Sequence, residues 1–206
     1  MEKTEIFGFL QEQIHTVIIA TNDENGQPVT CAIDLMDYDE NWLYFLTAKG
    51  KNFYKRLKAN GYLSLTGIRG NNTMSCIAVS VCGKVKEIGS KRLERLLDKN
   101  PYMYEIYPTE QSRKALTVFC LYEGEGEWFD LSKKPIERFS FAFGGDNISI
   151  SGYYITDDCI GCGKCLSVCP QSCIVLNGQK ASIKQENCLR CGNCQRVCPV
   201  NSVIRK

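Results

Sequence analysis

Cys159-Ile160-Gly161-Cys162-Gly163-Lys164-Cys165-Leu166-Ser167-Val168-Cys169-Pro170 is answered by Cys188-Leu189-Arg190-Cys191-Gly192-Asn193-Cys194-Gln195-Arg196-Val197-Cys198-Pro199, cysteine for cysteine and proline for proline. An offset of 29 carries Cys159 onto Cys188 and Cys169 onto Cys198, and together the two runs hold eight of the chain's thirteen cysteines. Three thiolates three residues apart can wrap one iron–sulfur cube, while the fourth, set off by one more residue and a proline, points away to ligate the other cube. On that rule Cys159, Cys162, Cys165 and Cys198 hold one [4Fe–4S] cluster, and Cys188, Cys191, Cys194 and Cys169 hold the second. Zinc sites also use C-x2-C, but they rarely set four cysteines in one such run twice over with a following proline. The same offset carries the extra Cys173 onto Ser202. That position therefore calls for a small residue against the cluster rather than for a ninth ligand.

Outward from this repeat, 206 residues allow one large or two small domains. The composition, 44% hydrophobic and 23% charged, is that of a globular chain. No run is long enough to span a membrane, and Met1–Gln13 mixes charges with apolar residues rather than forming a leader, so a cytoplasmic location is expected. A reducing compartment suits metal-bound thiolates better than disulfides. The formal charge of +2 counts the cysteines as neutral. Two oxidised cubanes, each about −2 with its thiolates, would bring the holoprotein to about −2. Residues 151–206 carry seven Lys/Arg against three Asp/Glu, an excess that reads as neutralising cluster charge. No basic stripe with interleaved aromatics suggests nucleic-acid binding.

The region before the repeat is built of short strands. Ile6, Phe9, Leu10 and Ile14 give one helical face within 4–16. Strands are expected at 17–21, 29–35, 42–47 and 62–66, with an Asn-Gly turn at Asn25-Gly26 and a helix from Phe53 to Asn60-Gly61. Alternation predicts a half-buried strand over 73–87. Ser90 is expected to cap a helix carrying Leu93, Leu96 and Leu97 that ends at Pro101, and 117–122 with 127–131 are expected to form a last hairpin around Glu123-Gly124-Glu125-Gly126. Pro135–Tyr153 shows little regularity. The fold class is α+β: an N-terminal antiparallel split β-barrel with flanking helices over 1–140, a linker at 141–152 centred on Gly144-Gly145-Asp146-Asn147, and a small (βαβ)2 ferredoxin-like two-cluster domain over 153–206.

The C-terminal stretch resembles the bacterial-type two-cluster ferredoxins in both motifs and their spacing. The first 130 or so residues resemble the FMN-binding split-barrel family that includes pyridoxamine-phosphate oxidase. That likeness is carried by Gly26-Gln27-Pro28-Val29-Thr30-Cys31-Ala32, Leu43-Tyr44-Phe45-Leu46-Thr47-Ala48-Lys49-Gly50-Lys51 and Ala59-Asn60-Gly61-Tyr62-Leu63-Ser64-Leu65. The resemblance implies FMN, with its ring edge along Val29, Thr30 and Cys31. It places the phosphate where Thr47, Ala48, Lys49, Lys51 and Asn52 lead into a helix, Lys51 taking the usual basic position and Asn52 assisting. A helix N-terminus with its free amides and two lysines suits that load. It also implies a homodimer, because the family builds its flavin site across a subunit interface.

The arginines that hold a pyridoxal phosphate in the oxidase branch are missing from Ile77-Ala78-Val79-Ser80-Val81, and no Arg-rich ending precedes the linker, so vitamin B6 oxidation is not expected. His15, the single histidine, reads as a surface or capping residue. Cys76, Cys82 and Cys120 read as structural thiols, while Cys31 lies in the ring-edge strand. Tyr102, Met103, Tyr104 and Tyr107 form a patch that either covers a ligand or packs. No acid or base for substrate chemistry is evident. The expected function is an FMN/iron–sulfur oxidoreductase passing single electrons between the cluster pair and FMN, which reduces or oxidises a small acceptor or donor. The alternatives are a non-catalytic electron carrier whose barrel serves dimerisation or docking, or a barrel holding deazaflavin or haem. The expected partner is a redox protein or a small donor or acceptor, with no nucleic acid and no membrane.

Overall fold

The computed structural model of the chain describes residues 2–145 and 151–206. The chain divides into two compact units that are not consecutive in sequence: Met1–Arg69, Ala78–Gly126 and Phe141–Asn147 form one, and Gly70–Ile77, Glu127–Ser140 and Ile148–Lys206 form the other. This differs from the expected order of 1–140, linker 141–152 and 153–206, because Glu127–Ser140 associates with the cysteine repeats. Of the expected linker centre, Asp146 and Asn147 lie outside the described residues.

In the first unit, α1 (Lys3–Gly8) continues as a π-helical turn over Phe9–Ile14, closed by the His15 amide donating to the Leu10 carbonyl at 2.9 Å. The expected single amphipathic helix is thus widened in its second half. Ile6, Phe7, Phe9 and Leu10 are buried by it. Strands β1 (Thr16–Asn22), β2 (Pro28–Tyr38), β3 (Leu43–Ala48), β4 (Tyr62–Arg69), β5 (Ile77–Gly89) and β6 (Leu116–Asp130) run in the order β3-β2-β1-β4-β5-β6 and close into an antiparallel barrel by pairing β3 with β6. Strand alternation puts Val17 and Ile19, Leu63 and Leu65, and Val79 and Val81 inside. Phe45 stacks on Phe119 across the β3–β6 seam at 5.8 Å.

Helix α2 (Asn52–Asn60) covers β1, β3 and β4 and stops where Gly61 adopts φ +61, a conformation that costs glycine little. The helix expected after Ser90 is α3 (Leu93–Lys99), but its cap position is Arg92, and Ser90 contributes its carbonyl to the Leu93 amide instead. Short helices α4 (Tyr102–Ile106) and α5 (Glu110–Arg113) follow. Met103, Tyr102 and Tyr107 pack with Met36, Leu96 and Leu97, so much of the tyrosine patch is core rather than a ligand cover.

The expected hairpin at Glu123–Gly126 is absent. β6 runs unbroken through it, and its partner is β7 (Glu137–Phe143), inside a stretch expected to be irregular. The glycines there serve close approach, not turning: a Cβ on Gly124 would meet the Cys82 carbonyl oxygen at 2.4 Å. Likewise the half-buried strand expected from 73 begins only at Ile77, since Asn72 caps a 3-10 turn over Thr73–Ser75.

In the second unit, β8 (Tyr153–Ile155) pairs with β11 (Val203–Arg205), and β9 (Ile174–Asn177) with β10 (Lys180–Ile183). Short helices α6 (Lys164–Ser167) and α7 (Asn193–Arg196) lie between, giving the expected doubled strand-helix-strand pattern. Its core is Tyr153, Cys173, Ile174, Ala181, Cys188, Cys194 and Val203. No helix among the described residues is long and apolar enough to cross a membrane.

Candidate functional site

The second unit contains two small cavities. One is ringed by Cys159, Cys162, Cys165 and Cys198, with Ile160, Lys164, Val200 and Ser202. The other is ringed by Cys188, Cys191, Cys194 and Cys169, with Tyr153, Leu189 and Cys173. Each therefore takes three cysteines from one motif and the fourth from the other. All thirteen cysteines are free thiols. Among the described residues no three His, Cys, Asp or Glu converge on a single-ion site. Four thiols around a cavity match the donor arrangement of a many-atom cluster, whereas zinc draws its thiolates to about 2.3 Å from one point.

The chain folds this way because each Cys-x2-Cys-x2-Cys loop turns on left-handed residues, Gly161 and Gly163 in the first, Arg190 and Gly192 in the second. These turns aim backbone amides at sulfur. The Arg190 amide in the second loop is 3.4 Å from Cys188 Sγ, and past the loops the Ser202 amide is 3.3 Å from Cys198 Sγ. Backbone donation from Ala181 and Gly161 lowers the Cys159 thiol below its usual range. At Cys169 and Cys198 burial pushes the pKa up, but hydrogen bonds more than offset it. Those at Cys169 come from the Cys173 and Gln171 amides and those at Cys198 from the Ser202 hydroxyl and the Val200 amide, so both thiols end up lowered. Burial raises Cys165 and Cys194 instead. Donors preset for thiolate suit ligation by iron.

Cys173 and Ser202 occupy matching places. Cys173 Sγ is 3.4 Å from Cys169 Sγ, and Ser202 Oγ is 3.2 Å from Cys198 Sγ; both residues are buried. Burial, followed by its contact with Cys169, drives the Cys173 thiol far above its usual pKa, which fits a neutral packing residue.

In the first unit, β2 pairs with β1 from Pro28 to Asp34 but meets β3 only at Leu35↔Phe45, Asp37↔Tyr44 and Tyr38↔Leu43. The barrel is split there. Among the described residues, the β2 edge from Val29 to Asp34 has no strand partner across the split, and Thr47 and Ala48 at the end of β3 have none on that side. Val29 and Cys31 are half-buried, and Thr30 is exposed on the opposite face. Thr47 is buried, and its hydroxyl oxygen has no hydrogen-bond partner among the described residues. Lys51 is the cap residue of α2; its side chain makes no capping hydrogen bond, and the first turn has no acidic residue. Burial raises the Cys31 thiol, opposed by the charges of Arg56 and Lys51, which places both cations within reach of this strand. Arg56, which the sequence did not single out, is fixed by donating from Nε to Thr21 Oγ1 at 2.8 Å. Lys49 and Asn52 are exposed, and Lys49 lines an open groove with Leu93, Asp98, Arg113 and Lys114. An orphaned buried hydroxyl, an uncapped helix start and two nearby cations are a donor set that fits a phosphate-bearing flavin.

His15 has partners after all. It sits at φ +66, with Nε2 3.0 Å from the Tyr102 hydroxyl, which donates to Asp34 Oδ2 at 2.7 Å. Burial, then this bond, pushes Tyr102 far above its usual pKa. Eighty-seven residues separate His15 from Tyr102, so no local pattern could reveal the pair.

A split barrel joined to eight thiols around two cavities defines an iron–sulfur redox protein built on a cofactor-binding barrel fold. Residues 158–202 match the 4Fe-4S dicluster domain, and residues 3–122 match the pyridoxamine 5'-phosphate oxidase family. The chain belongs to the pyridoxamine 5'-phosphate oxidase family, with a ferredoxin-type dicluster domain fused after the barrel. Comparison with curated proteins found no match. Among solved structures it is similar to a nimc/nima family protein from Clostridium acetobutylicum, 20% identical over 67% of this chain and 91% of that one, TM-score 0.55. It is also similar to a Clostridium acetobutylicum protein related to general stress protein 26 of B. subtilis, of the pyridoxinephosphate oxidase family, 20% identical over 64% and 88%, TM-score 0.51. A third is a heme binding protein from Mycobacterium smegmatis, 12% identical over 67% and 57%, TM-score 0.51. Identities this low establish a shared fold.

Proposed function

We propose that the protein is an oxidoreductase that passes single electrons between two [4Fe–4S] clusters and an FMN, with a small acceptor or donor completing the reaction. The observation that carries this is the crossed grouping of the cysteines, in which each cavity is ringed by the four residues the spacing assigns to one cluster. When bound, the clusters supply one-electron transfer, and the flavin supplies the exchange between one- and two-electron chemistry. Cys159, Cys162, Cys165 and Cys198 hold one cluster, and Cys188, Cys191, Cys194 and Cys169 the other.

Lys51, Arg56, the Thr47 hydroxyl and the first amides of α2 receive the phosphate. The unpaired edge of β2 at Val29, Thr30 and Cys31 offers main-chain groups to the ring. At the far end of that edge Asp34, Tyr102 and His15 form a hydrogen-bonded chain able to hold a proton at Asp34 Oδ2 or His15 Nε2. Vitamin B6 oxidation is not proposed, since Ile77–Val81 lacks the oxidase's arginines. Haem is favoured less than FMN: the single histidine is engaged with Tyr102, and the heme binding relative shares only the fold.

A homodimer is part of the proposal. Ile18 is 52% and Ile68 59% exposed on the outer face of β1 and β4, with Ala32 in register beside Ile18, and we assign this face to a second copy. Anaerobic purification with iron and sulfide analysis, an absorption spectrum and acid extraction of the cofactor tests the reading. Two clusters, released FMN and flavin reduction by electrons delivered to the clusters are the expected results. Clusters without flavin under every reconstitution would sink it.

A further inference from the structure

Arg190 occupies the second cysteine loop where the first loop has Gly161. Both are left-handed, Gly161 at φ +67 and Arg190 at φ +57. Glycine adopts that conformation freely, whereas a side chain there is disfavoured and persists only when its surroundings hold it. Here the hold comes from the far end of the side chain. The Arg190 guanidinium pairs with Glu127 and donates to Ser140 Oγ at 3.2 Å. Arg138 grips the same Glu127 and donates to the carbonyl of Leu189, the residue between Cys188 and Arg190, at 3.2 Å.

Two guanidinium groups thus share one carboxylate, with side chains only 17% and 20% exposed. The Nε of each is buried without a hydrogen-bond partner among the described residues. The assembly keeps a net positive charge in a poorly solvated place against the Cys188–Cys191 loop. Among the described residues the first loop has no counterpart: its lining cation, Lys164, is exposed, the Asp157–Lys180 pair is neutral overall, and the nearby acids Asp158 and, beside the second loop, Glu186 are both exposed.

We infer that Arg190, with Arg138, sets the two clusters apart in potential, making the one held by Cys188, Cys191, Cys194 and Cys169 the more easily reduced. The inference rests on the ligand sets proposed above. Reduction adds an electron to an already anionic group, so a poorly solvated positive charge favours the reduced form, and solvent screens the exposed charges near the other cluster. The Ser202 hydroxyl, a better donor to sulfur than the Cys173 thiol, works the opposite way. It is a neutral group set against a full charge, and ionised donors are about twice as strong as neutral ones. Electrons arriving at the first cluster therefore run downhill to the second.

The test is an EPR-monitored redox titration of the full-length, anaerobically purified protein, after iron and sulfide analysis has counted the clusters. Two midpoints are expected. Arg190→Gly, which installs the residue the first loop already has, lowers the higher midpoint and leaves the lower one in place. Glu127→Gln frees the positive charge and raises the higher midpoint. General loosening of the loop would move both variants in the same direction. Shifts of like sign, unchanged midpoints with both clusters present, or a single shared midpoint in the wild type overturn the inference. If R190G loses a cluster, Arg138→Gln takes its place with the same expected direction. Fewer than two clusters in the wild type overturns the ligand reading instead.

Discussion

Ser202 Oγ stands 3.2 Å from Cys198 Sγ, and at the matching point of the other repeat Cys173 Sγ stands 3.4 Å from Cys169 Sγ. A hydroxyl donates to sulfur more strongly than a thiol does, and donation to a ligand sulfur favours the reduced cluster. Ser202→Ala is expected to lower the midpoint of the cluster bound by Cys198, and Cys173→Ser to raise that of the cluster bound by Cys169. EPR-monitored titration of the two variants checks this, and equal effects of both substitutions on both midpoints would contradict it.

The crossing of the fourth ligands can be read from paired substitutions. Cys162→Ala and Cys198→Ala act on one cluster, so the double variant should retain as much iron as either single one, about four atoms. Cys162→Ala with Cys169→Ala removes a ligand from each cluster and should lose both. Iron and sulfide analysis under anaerobic conditions distinguishes this from ligation within each motif, which predicts the reverse.

At the split between β2 and β3, Thr47→Val replaces a buried hydroxyl that has no partner among the described residues. The apoprotein should gain about 1 kcal/mol in urea unfolding, since an unsatisfied buried polar group is costly. FMN should at the same time bind more weakly. Arg56→Met should weaken FMN about tenfold or more, the scale of one lost charged hydrogen bond, in a flavin fluorescence titration. Unchanged flavin affinity in both variants would place the phosphate elsewhere.

Glu87 ties α2 to β6: it accepts from Thr117 Oγ1 at 2.7 Å and from the Tyr54 hydroxyl at 3.2 Å and pairs with Lys58 at 3.0 Å. Burial raises its pKa, but the Thr117 and Lys58 bonds more than offset this and leave it below the ordinary glutamate value of 4.5. A carboxyl depressed on folding binds protons more readily in the unfolded chain. Its stabilising contribution is therefore complete above about pH 4.5 and is lost as pH falls through the lower folded value. Glu87→Gln should be less stable than wild type at pH 7, and the gap should narrow on acidification. Urea midpoints at several pH values measure it; a gap that widens in acid would be the wrong sign.

The cysteine repeats are legible because ligand spacing is chemistry written directly in sequence, and the structure groups those side chains as the spacing implies. The strands of the barrel are legible wherever alternation is clean, as in β1 and β4. Glu123-Gly124-Glu125-Gly126 misleads because glycine marks both turns and close backbone approach, and only the neighbouring Cys82 carbonyl decides which. Arg56, Arg190 and the His15–Tyr102 pair are invisible for a different reason. Their roles depend on partners brought from distant parts of the chain.

The grip of Arg190 and Arg138 on Glu127 bears on where this protein can be cut. A fragment beginning at residue 153 would keep every cysteine of both motifs yet lack Glu127, Arg138 and Ser140, as well as the Ile136 carbonyl that accepts from Asn187 Nδ2 at 2.8 Å. Its second loop would have to carry a left-handed arginine with nothing to hold it. The ferredoxin portion is therefore not a cassette that starts at β8. The compact unit that holds both motifs also contains Glu127–Ser140, so a transplant into another carrier is expected to need that segment as well.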